Sequence, residues 1–291
     1  MAVTDSRLDT ALVERGLARS RTLAAKLIAD GLVTVDGVPV VKASTRVTEQ
    51  NVLATAPADH YLSRAAHKLI AALDGFGVPV EGRRALDVGA STGGFTQVLL
   101  ERGASTVLAL DVGHGQLAPE IAADERVTVI EGFNARYMTA ETLTGAAGGA
   151  LPGTDGGIAA PAGDRVAPSR ADGGISLVVG DLSFISLLTV LPALVQTVGL
   201  DADYVLLIKP QFEVGRTGIR EGIVRQGALR TDAVNGVLWG AWDLGLNTAG
   251  VLPSPIAGGS GNHEYLVRLS ATHGSSPAEW SDRVTAMTET T

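Results

Sequence analysis

The sequence predicts an α/β protein, a Rossmann-like doubly wound sheet preceded by a small N-terminal α+β domain. Three observations predict it. From about Ser63 onward, short runs of Val, Ile, Leu and Ala alternate with helix-length segments, as in a parallel sheet with crossover helices. The first of these runs ends in the glycine-rich turn Gly89-Ala90-Ser91-Thr92-Gly93-Gly94. Ahead of Ser63, residues Arg7 to about Ala56 form a shorter unit of mixed charge containing an Asp-Gly hairpin signal.

The elements follow in order. Leu8, Leu12 and Val13 recur on one face of a first helix, and Gly16 closes it as a C-terminal glycine does. Ser20 is the expected N-cap of a second helix, Arg21 to Ala29, which ends at Asp30-Gly31. Leu32 to Val40 alternates like a strand pair, with Asp36-Gly37 as its tight turn. Ser63 is the expected cap of a helix whose apolar face is Leu69, Ile70, Leu73 and Phe76. Strands are expected at Arg84–Val88, Thr106–Asp111, Val127–Glu131, Ile175–Asp181 and Tyr204–Pro210. Helices are expected at Phe95–Arg102, Ile185–Val198 and near Leu229–Leu244, followed by a closing strand pair at Asn247–Ile256 and Glu264–Ser270. Residues 145–174 are rich in Gly, Ala, Pro and Asp without periodicity and read as a flexible insertion. Residues 271–291 read as a loosely held tail.

Composition narrows the function classes. A chain of 291 residues holds about two domains. The absence of cysteine excludes a disulfide framework and any thiolate metal site. Met1 to Asp9 has no apolar core of signal-peptide length, and the most apolar stretch, Leu182–Val198, is interrupted by Ser, Thr, Pro and Gln. A soluble cytoplasmic protein without membrane contact is therefore expected. The net charge of −8 argues against a nucleic-acid binder until its distribution is considered. Residues 1–70 carry nine Lys/Arg against seven Asp/Glu, whereas the remainder carries fourteen against twenty-four. Any affinity for RNA should begin in the first quarter of the chain.

Doubly wound sheets bind ligands outside the carboxyl ends of their strands. Asp87 lies in the first strand beside its glycine turn, the second ends at Asp111, the next pair at Asp181 and at Lys209-Pro210. The turn is Gly-x-x-x-Gly-Gly and lacks the middle glycine that lets a pyrophosphate approach the backbone, which disfavours a dehydrogenase. S-adenosylmethionine has no phosphate. It needs room for its methionine part beside Gly89–Phe95, a carboxylate such as Asp87 for its ammonium, and an acid such as Asp111 for its ribose hydroxyls. Asn134 is placed to hydrogen-bond the adenine. The same turn also occurs as a plain strand-to-helix connection. Lys209, after an apolar run, is expected to be desolvated, either as a catalytic amine or as a structural ion-pair partner, with Asp181 as counter-charge or active-site acid. Taken singly, Lys68 and Glu264 read as ordinary charges. His67 and His263 have no third ligand at a sensible spacing, so no metal is expected.

The order Lys68, Asp181, Lys209, Glu264 resembles the Lys-Asp-Lys-Glu catalytic tetrad of the FtsJ-like RNA 2′-O-methyltransferases. Ser63–Leu69, Asp87–Thr96, Gly180–Leu187, Leu207–Glu213 and Gly258–Leu266 resemble the TlyA (hemolysin A) branch of that family. Arg7-Leu8-Asp9, Gly16–Arg21, Ala25–Ile28 and the Gly31–Val40 hairpin resemble an S4 RNA-binding domain. The likeness spans about residues 5–270 apart from the insertion. The linker Ala58-Asp59-His60-Tyr61-Leu62 departs from the Arg-x-Trp-Val-like form of the family.

The resemblance implies an S4-like domain at 5–57, a linker at 58–63, an S-adenosylmethionine-dependent methyltransferase domain at 64–270 and a tail at 271–291. It implies methyl transfer to the 2′-oxygen of cytidine in ribosomal RNA of the 30S or 50S subunit, or both, by a protein expected to be monomeric. Lys209 would orient the hydroxyl, Asp181 would hold Lys209, and Lys68 and Glu264 would complete the network. Arg7, Arg19, Ser20, Arg21, Lys26, Lys42 and Arg64 would dock the RNA, chiefly through phosphates. Two other readings compete: an RNA-binding protein with a degenerate site, and a membrane-active cytolysin suggested by the hemolysin name.

Overall fold

The computed structural model describes residues 5–29, 31–55, 60–148, 174–215, 219, 221–258 and 261–289. Residues 149–173 of the insertion and residues 58–59 of the linker lie outside these residues.

The N-terminal unit packs two helices, α1 (Leu8–Glu14) and α2 (Arg21–Ala29), on short strands. Strand β1 (Ser6–Arg7) pairs antiparallel with β4 (Arg46–Val47). A three-stranded sheet has the order β3 (Val38–Pro39), β2 (Val33–Val35), β5 (Leu53–Thr55). Asp36 and Gly37 both have positive φ, 52° and 80°, the type I′ geometry that matches the twist of a two-residue hairpin. Ser20 caps α2 as expected, its Oγ accepting from Leu23 N at 3.1 Å. Leu8, Leu12, Leu27, Ile28, Val33 and Val47 are buried together as the core of this unit.

The larger unit is a seven-stranded sheet. Its five parallel strands are β6 (Arg84–Val88), β7 (Thr106–Leu110), β8 (Val127–Ile130), β9 (Leu177–Gly180) and β10 (Asp203–Ile208). The closing pair, β11 (Asn247–Pro253) and β12 (Tyr265–Ser270), is antiparallel, and β12 inserts between β10 and β11. The order is β11-β12-β10-β9-β6-β7-β8, so the winding reverses between β6 and β9. At that switch point the connections leaving β6 and β9 run to opposite faces of the sheet and leave a crevice.

Side chains alternate across the sheet as the period of two requires. Leu86, Val88, Val178, Tyr204, Leu206 and Ile208 face one apolar layer; Ala85, Leu177, Val179, Val205 and Leu207 face the other. Helices α7 (Leu187–Val198) and α9 (Gly227–Asp243) contribute to the first layer, and α3 (Ala65–Phe76) and α4 (Gly94–Glu101) to the second. The shorter helices α5 (Pro119–Ala122), α6 (Ala140–Ala146) and α8 (Pro210–Glu213) complete the connections.

Two expectations are corrected. Arg64, not Ser63, occupies the N-cap of α3, with helical backbone angles and no side-chain cap bond. The Ser63 hydroxyl lies instead where a β-carbon on Gly94 would stand, against the start of α4. The C-terminal residues are not loose. They form α10 (Ser281–Glu289), which buries Val284 and Thr288 completely against the body of the domain.

Candidate active site

The chemistry-bearing residues meet at the carboxyl ends of β6, β7, β9 and β10. After β6 the chain turns sharply. Gly89 and Gly93 adopt φ of 85° and 97°, which only glycine takes without strain. A β-carbon on Gly89 would also stand 3.4 Å from the carbonyl oxygen of Asp181, so the loop lies close to the next strand end. Gly89 N and Ala90 N donate to Leu110 O, at 2.8 and 3.1 Å, fastening the loop to the end of β7. A cavity of about 610 Å³ opens here, lined by Ser63, Gly89–Thr92, Gly94 and Phe95 on one side and by Lys68, Asp181, Lys209 and Glu264 on the other. That volume falls in the range of about 300–1,000 Å³ usual for small-molecule sites.

On the glycine-loop side, Asp87 is wholly buried. Thr96 Oγ1 donates to its Oδ2 at 2.7 Å, while Oδ1 is buried without a hydrogen-bond partner. Burial pushes this carboxyl up to about 7; Asp181 and Asp111 add to the rise and the Thr96 bonds oppose it. Asp111 is half-buried and braces two turns, accepting from Ser91 N at 2.8 Å and from Gly113 N at 2.7 Å. Asn134 is exposed and caps a 3₁₀ turn, accepting from Arg136 N at 3.1 Å. Asp87, Asp111 and Asn134 do not line the cavity wall, unlike Gly89–Thr92, Gly94 and Phe95.

S-adenosylmethionine fits this arrangement on one direct observation. Asp87 Oδ1 is an acceptor lacking its donor, buried beneath the glycine loop, and an ammonium supplies what is missing. Asp111 stands at the next strand end, bonded to Ser91 of the glycine loop, where hydroxyl groups of a ribose would be held.

On the opposite side, four charges from four elements form one network. Lys68 comes from α3, and its Nζ donates to Glu264 Oε2 at 2.6 Å and to Asp181 Oδ2 at 3.4 Å. Lys209 Nζ lies 2.6 Å from Asp181 Oδ1 and donates to Ser183 Oγ at 2.8 Å. Lys68 is 4% exposed, Lys209 7% and Glu264 4%, so the group is desolvated, but its two positive and two negative charges cancel. Burial opposes ionisation of Asp181, yet Lys68 and Lys209 outweigh it and hold the carboxyl below the usual range. Lys209 and Glu264 each have a local reason for their position. Lys209 directly follows the six buried residues of β10 and stops them at Pro210, the first residue of α8. Glu264 directly precedes β12, and Gly258 leaves the space its carboxylate occupies.

Several lining residues were not among the expected site residues: Ser63, Ser183, Phe184, Gln211, Phe212, Gly222 and Asn262, all but Gly222 lying within the segments that carry the family resemblance. Phe184 is 92% exposed at φ 64°, with its ring centroid 5.5 Å from that of Phe212. The available sequence signal was position: Ser183 and Phe184 directly follow the strand-end acid Asp181, and Asn262 stands two residues before Glu264.

The seven residues expected to meet RNA divide into two groups. Arg7 and Arg21 both pair with Asp9, at 3.0 Å each, and Ser20 is spent on its cap. Arg19, Lys26 and Lys42 are exposed and make no ion pair among the described residues. Arg64 is half-buried, lines the cavity, and has its Nη1 3.7 Å from where a β-carbon on Gly31 would lie. It thus stands between the two units.

Comparison with known proteins agrees with this geometry. The chain is 47% identical to the 16S/23S rRNA (cytidine-2′-O)-methyltransferase TlyA of Mycobacterium tuberculosis, over 91% of this chain and 89% of the relative. It is 35% identical to Hemolysin A of Brachyspira hyodysenteriae, over 90% and 99% respectively. A solved structure of a hemolysin-named protein from Streptococcus thermophilus, 32% identical, superposes with a TM-score of 0.69 over 99% of this chain and 96% of its own. The S4 domain profile matches residues 6–53 and the FtsJ-like methyltransferase profile residues 61–271. With the methyltransferase profile covering most of the chain and relatives matched along nearly its whole length, the chain belongs to the FtsJ-like methyltransferase family.

Proposed function

We propose that this protein methylates the ribose 2′-oxygen of a cytidine in ribosomal RNA, in the 16S or 23S molecule or in both. The observation that carries the reading is the buried Lys68–Asp181–Lys209–Glu264 network facing the glycine loop across one cavity. The enzyme depends on S-adenosylmethionine, which when bound supplies an electrophilic methyl group on a sulfonium.

The chain's own task is to present an oxygen in line with that methyl. Lys209 Nζ donates to Ser183, lies 2.6 Å from Asp181 Oδ1 and lines the cavity, where an entering oxygen can meet it. It orients the 2′-hydroxyl and assists loss of its proton. Asp181 is gripped by both lysines and fixes where Lys209 points. Lys68 and Glu264 close the network, so the charge near the reacting oxygen is set in advance and needs no rearrangement. Fixing both partners in one cavity contributes through alignment. Asp87, Asp111 and the Gly89–Phe95 loop hold the cofactor, with Asn134 toward the adenine. The S4 unit docks RNA through Arg7, Arg19, Arg21, Lys26, Lys42 and Arg64, with Ser20 at the start of its second helix.

Among the described residues no helix is long and apolar enough to cross a membrane, which favours the enzyme over the cytolysin reading. We place the activity in the cytoplasm, with a monomer acting on 30S or 50S subunits. The test is transfer of a labelled methyl group to separated subunits that lack the modification, followed by nuclease digestion and mass mapping. A 2′-O-methylcytidine on either subunit is the expected product. Cofactor binding without transfer to either subunit would favour the RNA-binding protein with a degenerate site.

A further inference from the structure

Two buried polar residues have no part in the proposed mechanism, Arg230 and Asn262, each 3% exposed. They hold opposite ends of one short strap. Asn262 Oδ1 accepts from Val224 N at 3.0 Å, and its Nδ2 donates to Gly222 O at 2.8 Å. Gly222 and Asn262 both line the cavity on the tetrad side, and Asn262 stands two residues before Glu264. At the other end, Arg230 Nη1 donates to Arg225 O at 3.1 Å and to Val224 O at 3.4 Å.

The same guanidinium reaches the C-terminus of the molecule. Its Nη2 and Nε donate to Thr288 O at 2.5 and 3.2 Å. Thr288 is in the last turn of α10, where a positive charge meets unsatisfied carbonyls and the negative end of the helix dipole. Thr231 and Thr288 hydroxyls meet at 2.5 Å, and a β-carbon on Gly227 would stand 3.3 Å from Thr288 O. The two helix ends are therefore in direct contact. A desolvated guanidinium is a costly way to fill space, since an apolar side chain would pack there without the desolvation penalty. Its planar fork suits the joining of several carbonyls at fixed angles.

We infer that Arg230 is a positioning residue through which the C-terminal helix holds the Gly222–Gln226 strap, and with it the acceptor-side wall of the cavity. The occupant of that wall is the RNA nucleotide, so the inference rests on the proposed function. The helix that seals the domain thus also shapes the surface the acceptor meets, although it lies outside the glycine loop and the tetrad.

The test compares the full chain with Arg230→Met, Arg230→Lys and a form ending after Trp280. Hydrogen exchange of the 221–226 peptide is read beside S-adenosylmethionine affinity, thermal midpoint, and KM and kcat on ribosomal subunits. Arg230→Met and the shortened form should exchange at least tenfold faster at 221–226 and raise KM for the subunit at least fivefold. Cofactor affinity should stay within twofold. Arg230→Lys should recover part of both effects. Unchanged exchange at 221–226 in Arg230→Met would overturn the inference. So would faster exchange with unaltered kinetics, or losses of cofactor affinity, kcat and thermal midpoint in parallel. If the full chain methylates neither subunit, the proposed function fails, and exchange alone decides whether Arg230 holds the strap.

Discussion

Asp87 and Asp181 belong to neighbouring parallel strand ends, one wholly buried at the glycine loop and the other on the cavity wall, yet they titrate in opposite directions. Burial acts on both. Asp87 has only Thr96 beside it and is pushed up to about 7, whereas Asp181 is gripped by Lys68 and Lys209 and is held below the usual carboxylate range. Partners, not depth, decide the charge. The contrast separates the two halves of the cavity: in the tetrad half two lysines balance two carboxylates, whereas in the glycine-loop half a buried carboxyl has no cation beside it. The first half is built to act and the second to bind.

The largest effect should come from breaking the balanced half. Lys209→Ala removes the group that meets the acceptor oxygen but leaves Asp181 paired with Lys68. Turnover on ribosomal subunits should fall by about 10²–10⁴, while S-adenosylmethionine affinity measured by calorimetry stays within about twofold. A parallel loss of cofactor affinity would move Lys209 out of the catalytic role and erase the division between halves.

Asp87→Asn is the converse experiment. The amide keeps an oxygen for Thr96 but cannot pair with an ammonium, and a hydrogen bond to a charged group is worth about 1.5–3 kcal/mol, or roughly 10–100-fold in affinity. Cofactor affinity should fall by that amount. At saturating cofactor, kcat should be nearly preserved. Equal losses in binding and kcat would show that Asp87 also serves the tetrad.

A smaller effect follows from the raised carboxyl itself. With its folded value near 7, Asp87 contributes most to stability when protonated, below the ordinary carboxylate range, and this contribution is lost as pH rises through about 7. Asp181 behaves oppositely: its contribution is present above the ordinary range and disappears as pH falls through its depressed value. An ammonium beside Asp87 favours the ionised form, so binding should release a proton. Affinity for S-adenosylmethionine should then rise between about pH 5.5 and 7, below the ammonium's own titration at about 7.7–8.0, by at most about tenfold per pH unit. Asp87→Asn should flatten that slope. A slope that persists in the variant would assign the proton elsewhere.

How much of this was legible in the sequence follows from the range of each interaction. The parallel strands announce themselves because Arg84–Val88 and Asp203–Ile208 are short segments rich in Val, Leu, Ile and Ala that stop at a glycine turn or a Lys-Pro pair. Asp87, Asp111, Asp181 and Lys209 are legible as strand-end residues for the same reason. Lys68 and Glu264 are not, because their meaning lies in contacts spanning 113 and 196 residues, and only the family resemblance singled them out. Helix α10 escaped notice because its anchors, Val284 and Thr288, leave a weak apolar pattern and its partner Arg230 lies 58 residues away. Ser63 has the chemistry of a cap, but the close approach of α3 and α4 at Gly94 claims it instead.

The distinction between satisfied and open charges extends to the N-terminal unit, where the effects should be smallest. Arg7 and Arg21 converge on Asp9, which is nearly buried and held well below the usual carboxylate range by the Arg7 hydrogen bond against the cost of burial. Arg19, Lys26 and Lys42 have no such commitment. Removing one phosphate contact should lower the slope of log affinity against log salt by about 0.7–1. Lys26→Ala should therefore weaken subunit binding at low salt, reduce that slope by about one contact, and leave the thermal midpoint unchanged. Arg21→Ala should do the same to binding but also lower the midpoint, because Asp9 loses a partner. If the two variants bind with the wild-type slope, the S4 unit docks by something other than phosphate contacts at these positions. If Arg21→Ala changes the midpoint alone, that arginine belongs with the satisfied charges, and the basic surface begins at Arg19 and Lys26.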